Sequence, residues 1–319
     1  MHSTSSRKIR LNDQYRTINR QDKRSRNYPG NFLKEKMKLA IASGKGGTGK
    51  SMVAANLAFT LSTTDKVTLV DCDVEEPNLH LFFPAPAMMT EVTVPVPVVD
   101  ETTCQHCGKC GEFCQYGALT VLSKRVLFFP ELCHSCGGCM LVCPNDAIHE
   151  EPKRIGTLSI SMPQPGLKLI SGTLDTGSPH AVPVIRAAKK LAAQDPVVIL
   201  DTAPGTSCPV VEALDGCDAC ILVTESTPFG LHDLQLAVDV VARLGIPAGI
   251  VINRSDGKDA ETLRFCTDHD LEVMMTIPFS CEIAAIQSRG DLLCRERPEW
   301  QKDFCALYAK CRALAGVDE

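Results

Sequence analysis

The chain has 319 residues and 34.6 kDa, with 44% hydrophobic residues, 22% charged residues and a mean hydropathy of zero, which leaves room for one large α/β domain or two modest ones. This composition excludes a disordered or collagen-like chain, and no run reaches the roughly 18 consecutive apolar residues of a spanning helix. The formal net charge is −5, and seventeen cysteines without an apolar signal-peptide core predict reduced thiols, bound metal and a cytoplasmic setting.

Residues 1–36 hold ten Lys or Arg against Asp13, Asp22 and Glu35, net +7, which leaves −12 for the remainder. A basic arm suits nucleic acid or anionic lipid. This one has no apolar periodicity, and Met37 opens a strand-like run at once. It reads as a disordered extension, with Met37 a candidate start, and the acidic body predicts neither nucleic-acid nor membrane binding.

From residue 38 short apolar runs alternate with helical patterns. Residues 38–43 predict a strand, and 50–61 a helix with Val53, Leu57 and Leu61 on one side. Residues 66–71 predict a second strand ending in acids. A Pro-rich run at 95–99 and a cysteine-rich segment then interrupt the pattern. A weaker strand at 167–171 follows, broken by Lys168, and then continuous apolar strands at 197–201, 220–224, 249–253 and 273–277. Leu231, Leu234, Val238 and Val241 form one helical face, stopped by Gly245 and Pro247. Trp300, Phe304, Leu307, Tyr308, Cys311 and Leu314 form another, whose mixed-charge polar side predicts core packing rather than membrane binding. Alternation of this kind implies an α/β fold with a mostly parallel, doubly wound sheet covered on both faces. The expected organisation is an arm at 1–36, one domain from 37–94 and 153–319, and an insert at 95–152.

The first chemical motif follows the first strand: Gly44-Lys45-Gly46-Gly47-Thr48-Gly49-Lys50-Ser51. Between a strand and a helix it fits the phosphate loop, in which glycines let backbone N–H groups wrap phosphates and the helix N-terminus adds its dipole. Lys50 is expected to neutralise the β- and γ-phosphates of ATP, and the Ser51 hydroxyl to ligate Mg²⁺.

The second motif is the insert. Cys104-x-x-Cys107-x-x-Cys110-x-x-x-Cys114 is followed by Cys133-x-x-Cys136-x-x-Cys139-x-x-x-Cys143-Pro144. This is the two-cluster bacterial ferredoxin spacing, in which the fourth cysteine of each run ligates the other cluster. One 4Fe–4S cluster is expected on Cys104, Cys107, Cys110 and Cys143, the other on Cys133, Cys136, Cys139 and Cys114. Gln115 departs from the usual proline without removing a ligand. Paired C-x-x-C units also serve zinc, but this spacing suits zinc poorly.

The second lysine of the loop, Lys45, in the form KGGTGKS, resembles the deviant phosphate loop of the MinD, ParA and nitrogenase iron protein class of ATPases. The resemblance extends along nearly the whole chain from Met37. It implies that Lys45 reaches the nucleotide of a partner subunit, in a homodimer or a heterodimer with a related ATPase. Val67 to Asp73 resembles the first switch, which implies that Asp73 orients the attacking water. Val198 to Gly205 resembles the Walker B strand and second switch, which gives Asp201 the magnesium shell. Asn253 and Arg254 match the segment whose asparagine reads adenine, and Pro278 the loop that closes over the base. With the cysteine insert, the chain resembles a family of MinD-type ATPases carrying an inserted two-cluster ferredoxin.

Nine cysteines remain. Most are expected as small core hydrophobes. Cys208, in the second switch, stands where the nitrogenase iron protein carries one cysteine of an inter-subunit cluster, but no second such cysteine is evident; Cys217 and Cys220 read as core. The expected function is an ATP-switched dimer coupling hydrolysis to low-potential electron transfer to, or cluster assembly on, a redox or metal-cluster acceptor protein. The alternatives are a positioning ATPase with redox-sensing clusters, and an autonomous electron carrier with a docking module.

Overall fold

The computed structural model describes residues 36–317, so the expectation for the basic arm lies, but for Lys36, outside the described residues. The chain begins with β1 (Met37–Ala42), α1 (Lys50–Leu61), β2 (Val67–Asp71), a 3₁₀ turn (Leu79–Leu81) and β3 (Ala87–Val99). The cysteine segment contributes α2 (Lys109–Phe113), β4 (Leu119–Val121), β5 (Val126–Phe128) and α3 (Gly138–Leu141). Next come β6 (Ile148–Gln164), β7 (Leu167–Leu174), α4 (Ala181–Ala192), β8 (Val197–Asp201), α5 (Cys208–Leu214), β9 (Ala219–Glu225) and α6 (Pro228–Arg243). The chain closes with β10 (Ala248–Ser255), α7 (Ala260–Asp268), β11 (Val273–Pro278), α8 (Cys281–Ser288), α9 (Leu293–Glu296) and α10 (Trp300–Leu314).

Among the described residues the main sheet runs β11–β10–β9–β1–β8–β2–β7–β6–β3. The seven strands from β11 to β7 are parallel, and β6 and β3 are antiparallel to their neighbours. Residues alternate between the faces, as strand period two requires. Leu39 and Ile41 of β1 join one core with α1 and α10, while Ala40 and Ala42 join a second with α6. Val198 and Leu200 of β8 face α4 in a third. The apolar stripe of α10 lies in the first core, with Phe304, Leu307, Tyr308 and Cys311 buried. Among the described residues no helix is long and apolar enough to cross a membrane.

The parallel core agrees with the sequence expectation, and the weaker strand at 167–171 continues to Leu174. The Pro-rich run does not interrupt the fold: Pro95 and Pro97 lie inside β3, at the sheet edge, with Pro95 opposite Pro152 of β6. Proline lacks an N–H and is tolerated there because an edge strand needs hydrogen bonds on one side only. β6 pairs with β7 only over Gly156 to Gln164, so its first part, residues 148–155, runs with β3 alone as a two-stranded ribbon. Residues 95 and 152 both fall in this ribbon, and the cysteine segment sits at its end. There Asp100 N–H donates to Ala147 O at 2.8 Å. Phe128 of β5 folds back against the core beneath α4.

Candidate nucleotide site and cysteine centre

The loop between β1 and α1 is set by glycine geometry. Gly47 and Gly49 hold φ of +81° and +89°, a left-handed region that L side chains rarely adopt. A Cβ on Gly49 would also meet Asn253 Nδ2 at 2.2 Å, so position 49 is doubly restricted. Asn253, at the end of β10, is buried and donates from Nδ2 to Thr48 O at 2.7 Å, while its Oδ1 accepts from Arg254 N–H at 3.0 Å. It thereby ties the phosphate loop to the neighbouring strand end.

The charges converge behind this loop. Asp71 and Asp201 are register neighbours at the carboxyl ends of β2 and β8, and both are fully buried. Lys50 Nζ donates to Asp201 Oδ1 at 2.7 Å and to Ser51 Oγ at 3.4 Å. Asp71 accepts backbone N–H bonds from Asp73, Asn78 and Leu79 at 3.2, 3.0 and 3.0 Å, which fold residues 73–79 back over the strand end. Burial, and then the adjacent Asp201 carboxylate, push Asp71 up to about 7. Burial also raises Asp73, which is half-buried, from its ordinary value. Asp201 Oδ2 and Thr48 Oγ1 are buried with no hydrogen-bond partner among the described residues. Such orphaned polar atoms are costly unless a ligand or cation meets them.

In front of the loop lies a cavity of about 590 Å³ lined by residues 46–52, Asp73, Glu76, Asn78, Pro204, Arg254 and the 287–290 turn. A second chamber of about 260 Å³ adjoins it, sharing Arg254, Gln287 and Ser288, and is walled by Asn253, Pro278 and Phe279. One chamber with glycine N–H groups, Lys50 and a buried carboxylate suits phosphates and a divalent cation; the other, less polar, suits a base. Most of this wall is legible in the sequence, but Glu76, Asn78 and the 287–290 turn are not, because loops carry no periodic signal that would place them. Glu225 has no sequence signal of a role either. It ends β9 and pairs with both Lys45 and Arg254.

The cysteine segment repeats with a 29-residue offset from Cys104 to Cys133. His106 and Ser135 hold φ of +54° and +52°, and their N–H groups donate to Cys104 and Cys133 Sγ, each at 3.4 Å. Ala118 and Ala147 N–H donate to Cys114 and Cys143 Sγ, each at 3.3 Å. Cys104, Cys107, Cys110 and Cys143 line one small cavity, and the Cys139 thiol feels Cys133 and Cys136. N–H groups aimed at sulfur stabilise thiolate ligands, and the two halves share this arrangement. Cys208 is exposed at the start of α5, whereas Cys220 is buried in β9 and Cys217 is packed beneath it.

The CobQ/CobB/MinD/ParA nucleotide binding domain model matches residues 39–293. The chain is 36% identical over 229 residues to the uncharacterized protein MJ0579 of Methanocaldococcus jannaschii, covering 70% of this chain and 81% of that protein. A shorter stretch of 50 residues is 50% identical to an iron-sulfur cluster carrier protein of Methanococcus maripaludis, 15% of this chain and 17% of that one. Among solved structures, the septum site-determining protein MinD from Pyrococcus horikoshii, complexed with Mg-ADP, superposes with a TM-score of 0.54 at 20% identity, covering 88% of this chain and 98% of that one. The chain belongs to the CobQ/CobB/MinD/ParA nucleotide-binding family and carries, inserted between the antiparallel strands β3 and β6 at the sheet edge, a segment with ferredoxin-like cysteine spacing.

Proposed function

We propose that the protein is a Mg²⁺-dependent ATPase whose nucleotide state is coupled to low-potential electron transfer to, or metal-cluster assembly on, a partner protein. One observation carries the coupling. The ring of Tyr116, which follows Cys114 and Gln115, stacks on His134 with centroids 3.7 Å apart, and His134 meets His180 edge-on at 6.3 Å. His134 lies between Cys133 and Cys136, while His180 directly precedes α4. The next residue, Ala181, lines a cleft of about 200 Å³ with Asp73, Glu75 and Glu76 of the first switch and Pro204 and Ser207 of the second. The cysteine segment thus touches the residue next to this cleft, whose walls would rearrange on loss of a γ-phosphate.

The nucleotide roles follow from placement. The N–H groups of residues 44–51 and Lys50 would hold the phosphates of ATP, and Ser51 and Asp201 would hold Mg²⁺, which neutralises charge on the transferring phosphoryl group. The P. horikoshii relative holds Mg-ADP on the same fold. Asp73, at the rim of both the phosphate cavity and the switch cleft, would position the attacking water. Asn253, Arg254 and Pro278 would frame the base. Lys45 would complete the site of a second subunit, in a homodimer or a heterodimer with a related ATPase. Two 4Fe–4S clusters, held by the cysteine sets above, would supply one-electron chemistry.

The test is transfer from the anaerobically reduced, cluster-loaded protein to a low-potential viologen dye, with ATP, ADP or no nucleotide. Rates that depend on the nucleotide, and lose that dependence in His180→Ala, are expected. Transfer indifferent to nucleotide overturns the coupling, and ATP-dependent binding to anionic liposomes would point to spatial positioning instead.

A further inference from the structure

Glu225 ends β9, where its backbone pairs in register with Asn253 of β10. Its side chain is only 16% exposed and serves two cations. Arg254 Nη1 lies 2.5 Å from Oε1, and Lys45 Nζ lies 3.5 Å from Oε2. The contacts are unequal. The arginine contact is a short, charge-assisted hydrogen bond, whereas the lysine contact is longer and lies on a more flexible stem. Lys45 is thus the releasable member. Arg254 can keep the largely buried carboxylate paired after Lys45 leaves, which avoids the penalty of an unpaired charge. Arg254 also lines both nucleotide chambers, so the anchor sits beside the ligand.

We propose that Glu225 is a positioning residue that parks Lys45 within its own subunit, and that Arg254 determines how tightly it does so. The inference rests on the reading that Lys45 serves the nucleotide of a second subunit. With Arg254 in place the carboxylate is shared, and Lys45 departs readily. Without Arg254 the whole charge of Glu225 falls on Lys45, which is held back. The two substitutions therefore push subunit association in opposite directions. Their combination is diagnostic, because once Glu225 is neutral Arg254 has no grip to relieve.

The experiment is sedimentation velocity of the full chain over a range of protein concentrations, with a saturating non-hydrolysable ATP analogue and Mg²⁺. Glu225→Gln is expected to lower the concentration at half-association about three- to fivefold, the scale of a partly exposed ion pair. Glu225→Asp should stay within about twofold of the unchanged protein, since it keeps the charge. Arg254→Gln should raise the half-association concentration, and the double variant should behave like Glu225→Gln. A double variant that returns to the unchanged value overturns the proposal, since that is what simple cancellation of charge near the nucleotide gives. So does a Glu225→Gln protein that associates like the unchanged one. If the unchanged protein itself does not associate with the analogue, the role of Lys45 across subunits fails, and this inference with it.

Discussion

Lys50 Nζ and Asp201 Oδ1 stand 2.7 Å apart with their side chains only 7% and 1% exposed, the most deeply buried ion pair among the described residues. The pair joins the phosphate loop to the end of β8, and Asp71 lies on the adjoining strand. A buried pair of this kind contributes little net stability over an apolar substitute, but removal of one partner leaves an uncompensated charge. Lys50→Met is therefore expected to lower the free energy of unfolding by about 3–5 kcal/mol in urea titrations without nucleotide. In the unchanged protein, ATP with Mg²⁺ at about a hundred times its dissociation constant should add about 2.7 kcal/mol. EDTA or Asp201→Asn should remove most of that gain.

Gly49 carries two constraints that substitution can separate. Alanine there meets both a φ of +89° and the Asn253 amide, 2.2 Å from the new Cβ. Backbone strain alone costs on the order of 1–3 kcal/mol. Gly49→Ala should exceed that cost in the normal background and fall back toward it when Asn253→Ala is present. A double-mutant cycle by thermal denaturation measures the difference, and strict additivity would show that the amide moves aside freely.

The proposed crossed cysteine sets predict distinct variants. After anaerobic reconstitution, Cys104→Ser with Cys143→Ser should leave about four of about eight iron atoms per chain, because both changes strike one cluster. Cys104→Ser with Cys114→Ser strikes both and should leave far less. Iron assay and EPR of the reduced protein read the outcome. The reverse pattern, with Cys104→Ser and Cys114→Ser sparing half of the iron and Cys104→Ser and Cys143→Ser sparing little, would show that the fourth ligands are not exchanged.

Thiol reactivity should separate the remaining cysteines by burial. Cys72 and Cys220 are fully buried and their thiols are pushed well up by desolvation; Cys217, Cys294 and Cys311 are each pushed up to about 12 by burial. The thiolate is the nucleophile, so these should resist iodoacetamide at about pH 8 until the chain unfolds. Cys208 and Cys281 are exposed and should be alkylated first in the cluster-loaded protein. Peptide mass spectrometry checks the order. Early labelling of Cys220 would mean that β9 opens locally.

The sequence by itself determined the phosphate loop, the parallel core and the doubled cysteine pattern. Each rests on local information: glycine spacing at residues 44–49, period-two or continuous apolar runs, and fixed intervals between Cys104 and Cys143. The bounds of α1, β8 and α10 agree with the periodicity, because helix and strand patterns state their own limits where one face meets a core. The tertiary structure alone decided what depends on contacts between distant segments. Nothing near Pro95 shows that it extends a sheet, since its tolerance arises from an edge position set by β6, on the far side of the cysteine segment. Nothing near Glu225 names Lys45 and Arg254 as its partners, because three separate strand ends meet there only after folding. The contact from His134 to His180 is of the same kind. Chemistry that needs particular residue types at short spacing is written locally, while the contact between the two segments arises only in the folded chain that brings them together.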